Sequence, residues 1–142
     1  MVDSTAHVTW NGSLTDGAGT ITSVGSGVLP PLPVSWSARI GEADGQTTPE
    51  ELLAAAHASC FSMALSHGLA QAGTPPQSLN VDATVTFVPG TGISKIALRV
   101  VGEVPGIDEG AFVEAAEAAK DGCPVSKALA SVPEISLEAA LA

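Results

Sequence analysis

The chain predicts an α+β domain in which antiparallel strands surround one long central helix. Two groups of segments alternate apolar and polar residues with a period of two, and a long apolar stretch with a marked start and stop lies between them. No internal repeat or low-complexity tract interrupts that order. At 142 residues the sequence fits a single domain, residues 1–142, large enough to bury a core without disulfides or metal.

Each element has its own signal. Ala6, Val8 and Trp10 alternate with His7, Thr9 and Asn11, and Asp16-Gly17 forms the turn into a second strand over residues 20–24, which makes a hairpin. Val34, Trp36, Ala38 and Ile40 alternate with Ser35, Ser37 and Arg39 between Pro33 and Gly41, which predicts a strand carrying Arg39 on the face opposite Trp36. Thr48 as N-cap, Pro49 at N1 and Glu51 at N3 then open a helix that runs to Ala72 and stops at Gly73-Thr74-Pro75-Pro76. It spans roughly 36 Å and carries small or apolar side chains all the way round, so it belongs in a core or a subunit interface. Val81, Ala83, Val85 and Phe87, then Ile96, Leu98 and Val100 beyond Pro89-Gly90, predict a second antiparallel pair. Asp108 caps a helix ending near Gly122, Cys123 and Pro124 start a short one, and residues 134–138 alternate as a last strand.

Composition narrows the function. Five Lys and Arg stand against fifteen Asp and Glu, for a formal charge of −10, so a phosphate backbone is repelled and nucleic acid is not an expected partner. The start, Met1 to His7, shows no basic leader before an apolar stretch, and His57, Ser59, Ser62 and Ser66 interrupt the longest apolar run; the expectation is a cytoplasmic protein with no membrane segment. Asn11-Gly12-Ser13 and Gly25-Ser26-Gly27 read as turns, the second lacking the lysine and strand-to-helix setting of a phosphate loop.

The two cysteines carry the chemistry. Cys60 lies deep in the apolar helix, where the bland reading is a small packed hydrophobe. Cys123 sits with Pro124 at a helix start, where unpaired N–H groups favour a thiolate and a purely structural cap would be Ser, Asp or Asn. In a chain expected to be cytosolic, such a pair points to redox chemistry rather than a staple. Apolar neighbours raise the Cys60 thiol, so it needs a cation, and Arg39 precedes the helix among small residues. A guanidinium can bind a thiolate and a carboxylate together, although Arg39 reads equally well as an ordinary solvated strand residue. Glu50 is the carboxylate to consider, since Glu51 has the capping role; the bland alternative for Glu50 is to complement the helix dipole. His57, one turn before Cys60, is either half of a Cys-His pair or a packed histidine, and a Cys60, Cys123, His57 metal set lacks the paired spacing of zinc sites.

The run Thr48-Pro49-Glu50-Glu51-Leu52-Leu53-Ala54-Ala55-Ala56-His57-Ala58-Ser59-Cys60-Phe61-Ser62-Met63-Ala64-Leu65, with Val104-Pro105-Gly106-Ile107-Asp108 and Lys120-Asp121-Gly122-Cys123-Pro124-Val125-Ser126, resembles the OsmC branch of the OsmC/Ohr family nearly end to end. His57 favours that branch over Ohr, where a tyrosine is usual; Thr48 departs from a common asparagine and Ile40 from a common phenylalanine. The resemblance implies an intertwined homodimer that reduces organic hydroperoxides, and hydrogen peroxide more weakly. It makes Cys60 the peroxidatic thiol, Cys123 the resolving thiol, Arg39 the activating guanidinium and Glu50 its anchor. An external dithiol, in Ohr members a lipoyl-bearing protein, would reopen the Cys60–Cys123 disulfide, and no metal, haem or flavin is implied. On one straight helix Glu50 and Cys60 are roughly 15 Å and about 80° apart, so an arginine serving both implies a bent helix start or a site built from two chains, of which the strong caps favour the second. The competing expectation is a noncatalytic stress protein that binds a hydrophobic ligand along the apolar helix.

Overall fold

The structure, a computed structural model, describes residues 1–142 and divides into two compact units, Met1–Leu52 and Leu53–Ala142. The first unit holds a three-stranded antiparallel sheet in the order β1 (Ala6–Asn11), β2 (Ala18–Val24), β3 (Leu32–Val34). The N-terminal hairpin forms as expected, with Trp10 opposite Gly19. A Cβ on Gly19 would lie 2.6 Å from the Trp10 ring, so only glycine lets the indole lie across the neighbouring strand.

The strand expected over residues 34–40 ends at Val34. Beyond it the chain turns into a short helix, α1 (Trp36–Arg39). Ser35 is the cause: its Oγ accepts the Ala38 N–H at 3.1 Å, an N-cap that a two-residue alternation does not reveal. Gly41, at φ +80°, follows the helix in a conformation that disfavours a side chain. Arg39 therefore sits in the last turn of a helix, not on a strand face.

Helix α2 (Pro49–Gln71) runs unbroken between the expected ends. Thr48 Oγ1 accepts the Glu51 N–H at 3.0 Å, as an N-cap should, while the Glu51 carboxylate accepts from the Thr47 hydroxyl at 2.9 Å. Ser59 and Ser62 donate their hydroxyls to the carbonyls of Ala55 and Ala58, which is how polar side chains are satisfied within an apolar helix. The helix is long and apolar enough to cross a membrane, yet core helices pass the same test.

In the second unit, β4 (Ser78–Val88) and β5 (Gly92–Glu103) form the expected antiparallel pair. Helices α3 (Glu109–Gly122, capped by Asp108) and α4 (Pro124–Ala128, capped by Cys123) follow, and β6 (Glu134–Leu141) closes the sheet in the order β4-β5-β6. β6 runs parallel to β5, the one departure from an antiparallel arrangement, because the chain returns to the sheet through a helical crossover rather than a hairpin. Phe61, Leu65 and Leu69 of α2 pack with Ile96, Leu98 and Val100 of β5 and with Phe112 and Ala116 of α3. Gly102 makes room for the Phe112 ring, which a Cβ there would approach to 2.7 Å.

Candidate active site

The expected residues assemble in two clusters. In the first unit the loop before α2 is tied to β3: Thr47 N–H donates to the Pro33 carbonyl at 3.0 Å and Thr47 bridges Val34. This brings the start of α2 beside the end of α1, and Arg39 meets Glu50. Arg39 Nη2 donates to Glu50 Oε1 at 2.7 Å, and Nε contacts Oε1 at 3.0 Å and Oε2 at 3.2 Å, a forked geometry that a lysine cannot reproduce. The carboxylate side chain is 7% exposed and the arginine 32%. The guanidinium thus borders solvent on an anchor that is itself buried. A pocket of about 200 Å³ lies there, lined by Trp10, Leu14, Val34, Trp36, Arg39 and Pro49. Sequence reasoning missed the two tryptophans in this role, because indole rings in short amphipathic segments read equally well as core.

The second cluster is built on the middle of α2 and the start of α4. Both cysteines are free, Cys60 partly buried and Cys123 fully so, and each lies near enough to shift the acidity of the other. The two sulfurs differ in acidity. Burial pushes Cys60 above the ordinary thiol range; donating to Cys123 and the proximity of its charge raise it further, against one lowering contact from the Val125 N–H. Burial also opposes ionisation of Cys123, but the neighbouring Cys60 thiol and the polar groups of Ser126 and Val125 outweigh it and bring Cys123 below that range. The position of Cys123 as N-cap of α4 explains the contrast, since the N–H groups of a helix's first turn have no intrahelical acceptor.

His57 is fully buried and bonds neither sulfur. Its Nε2 lies 2.7 Å from Ser126 Oγ, and burial lowers its basicity, keeping the ring neutral. The carboxylate that a Cys-His pair would want is replaced by a serine hydroxyl. Ser126 was legible only as part of the Cys-Pro-Val-Ser segment, and nothing local announces that it faces a histidine so far away in sequence.

A profile of the OsmC-like protein family matches residues 41–138. Over 132 residues the sequence is 45% identical to the peroxiredoxin OsmC of Escherichia coli (strain K12), an alignment that covers 91% of this chain and 90% of that protein, and the Shigella flexneri peroxiredoxin OsmC matches equally. Among solved structures, the OsmC organic hydroperoxide resistance protein of Legionella pneumophila has the same fold, with a TM-score of 0.71 at 22% identity over 96% of both chains. The organic hydroperoxide resistance protein OhrB of Bacillus subtilis aligns at 26% identity with a TM-score of 0.62, covering 97% of this chain and 98% of that one.

Proposed function

Because the chain belongs to the OsmC-like protein family and is a peroxidase, we propose that it reduces organic hydroperoxides through a Cys60 sulfenic acid and a Cys60–Cys123 disulfide. The observation that carries this reading is the pair of free thiols, one on α2 and one at the start of α4, near enough that each shifts the acidity of the other.

The Cys60 thiolate attacks the terminal oxygen of the peroxide, the O–O bond breaks, and the alkoxide leaves and takes up a proton to become the alcohol. Cys123 then attacks the sulfenic sulfur, forms the disulfide and expels hydroxide, which limits over-oxidation. An external dithiol, such as the dihydrolipoyl group of a lipoylated protein, reduces the disulfide again and is itself oxidised to a disulfide. The substrate class is supported by the Arg39 pocket, whose tryptophan, leucine, valine and proline walls suit an alkyl or aryl group more than the hydrogen of hydrogen peroxide.

Cys60 needs a cation because its own surroundings disfavour the anion. We assign that role to Arg39 held by Glu50, contributed by the other chain of a homodimer. Helix geometry supports this assignment: Glu50 and Cys60 lie on one uninterrupted helix, roughly 15 Å apart along it. So does the surface. Val8, Trp10, Leu14, Val28, Leu29 and Met63 are large and exposed, Met63 at 72%, and a second copy would cover such residues. Thiol titration before and after one equivalent of cumene hydroperoxide tests the function: both thiols should disappear together, whereas a noncatalytic ligand-binding protein would keep them.

A further inference from the structure

His57, Ser126 and Cys123 stand in sequence around the sulfurs: His57 Nε2 lies 2.7 Å from Ser126 Oγ, and Ser126 is the third residue after Cys123, the cap of α4. The direction of hydrogen bonding among them follows from one orphan. His57 Nδ1 is buried with no hydrogen-bond partner, while Nε2 faces Ser126 Oγ at 2.7 Å. An unpartnered lone pair is tolerated inside a protein more readily than an unpartnered N–H, so the ring proton belongs on Nε2. Nε2–H then donates to a lone pair of Ser126 Oγ, and the one hydroxyl proton of Ser126 is left to donate to Cys123 Sγ.

We propose that His57 and Ser126 form a directed relay, Nε2–H to Oγ and O–H to Sγ, that holds Cys123 as the attacking anion in the resolving step. The inference rests on the reading of Cys123 as the resolving thiol. In this relay Ser126 acts on the reacting sulfur as a catalytic residue, and His57 acts through it as a positioning residue. In the step itself the Cys123 anion forms the S–S bond with Cys60 as the S–O bond of the sulfenic acid breaks, and the departing hydroxide takes a proton from solvent. His57 stays neutral throughout and supplies a hydrogen bond, not a proton. A serine alone would have to divide its single hydrogen between ring and sulfur; the Nε2–H tautomer removes that competition. The other titratable groups near this cluster are Cys60 on α2 and Lys120, Asp121 and Lys127, which line a pocket of about 230 Å³ together with Ser126.

The chain contains no tyrosine, so thiolate absorbance in the ultraviolet can be followed without a phenolate signal. In a Cys60→Ser background the titration reads Cys123 alone. Ser126→Ala and His57→Leu should each move its midpoint up, the serine change by about one pH unit, while Ser126→Thr and His57→Gln, which keep a hydroxyl and a terminal N–H, should restore it. With Cys60 intact, Ser126→Ala should slow disulfide closure about 3-fold, since a tenfold loss of thiolate is partly offset by its greater nucleophilicity. The titration uses no peroxide, so it tests the relay even if Cys123 proves not to resolve Cys60. Unchanged midpoints in folded Ser126→Ala and His57→Leu proteins would overturn the relay. Nitrogen NMR of the His57 ring in the unmutated protein reads the tautomer without any variant: a protonated Nε2 supports the relay, and a protonated Nδ1 defeats it.

Discussion

The two units of the chain hold complementary halves of the proposed chemistry. Leu53–Ala142 has a full apolar core and a pair of sulfurs, yet the groups acting on Cys60 there are burial, its companion thiol and one backbone N–H, whose balance keeps the proton on. Met1–Leu52 has a guanidinium docked on a buried carboxylate beside an apolar pocket, and its buried apolar side chains are only Ile21 and Ala38. One unit has the proposed nucleophile and the core; the other has charge, pocket and exposed apolar surface. A thiol pushed up by its own surroundings would need a cation brought to it to act as the proposed nucleophile, and a unit with exposed tryptophan, valine and leucine would gain from a surface that covers it. Dimerisation would meet both needs at once.

The division of labour is most exposed to test within the sulfur pair. Cys60→Ser should abolish hydroperoxide reduction, while Cys123→Ser should still allow one oxidation and leave a sulfenic acid that dimedone labels on the Cys60 peptide. Labelling elsewhere would mean that the roles of the two thiols are misassigned. Next comes the charged half: Arg39→Lys keeps the charge but loses the fork, and the oxidation rate should fall at least ~10-fold. Arg99, exposed and 3.7 Å from Asp82, is the control, and Arg99→Lys should react like the unmutated protein in a stopped-flow assay.

The smallest effect concerns the neutral histidine. Burial lowers the His57 pKa from its usual 6.5, so between that value and the folded one the unfolded chain binds the extra proton. Stability should therefore fall as pH drops below about 6.5, with a slope of up to about 1.4 kcal/mol per pH unit from this proton. Urea unfolding of His57→Gln should lack that component, a difference best read against the unmutated protein above pH ~5, before most carboxylates titrate.

What was legible in the sequence was what local chemistry writes there. Thr48 and Pro49 mark the start of α2, Asp108 that of α3, and Cys123-Pro124 that of α4, because caps and proline act within a few residues. The alternation through Arg39 misled for the same reason: over so few residues, period two does not compete with a serine cap, and Ser35 turned the chain into a helix. The parallel direction of β6 is a property of the crossover, which no strand pattern carries. The residues themselves leave the Arg39–Glu50 contact open, since each has an equally plain surface or helix-dipole reading, and only the family resemblance implies it; Glu51 is engaged with Thr47. The His57–Ser126 bond was beyond reach because its two ends belong to helices that only the folded sheet brings together.

Everything in the proposed chemistry turns on a cation from one chain serving the sulfur of another. Cys60→Ser subunits mixed with Glu50→Ala subunits test this most directly, each being weak or inactive alone. In a verified heterodimer about half the unmutated activity should return, because one of the two sites then pairs an intact Cys60 with an intact Arg39–Glu50 from the opposite chain. No recovery in that heterodimer, or full activity in a verified monomer of the unmutated protein, would contradict it.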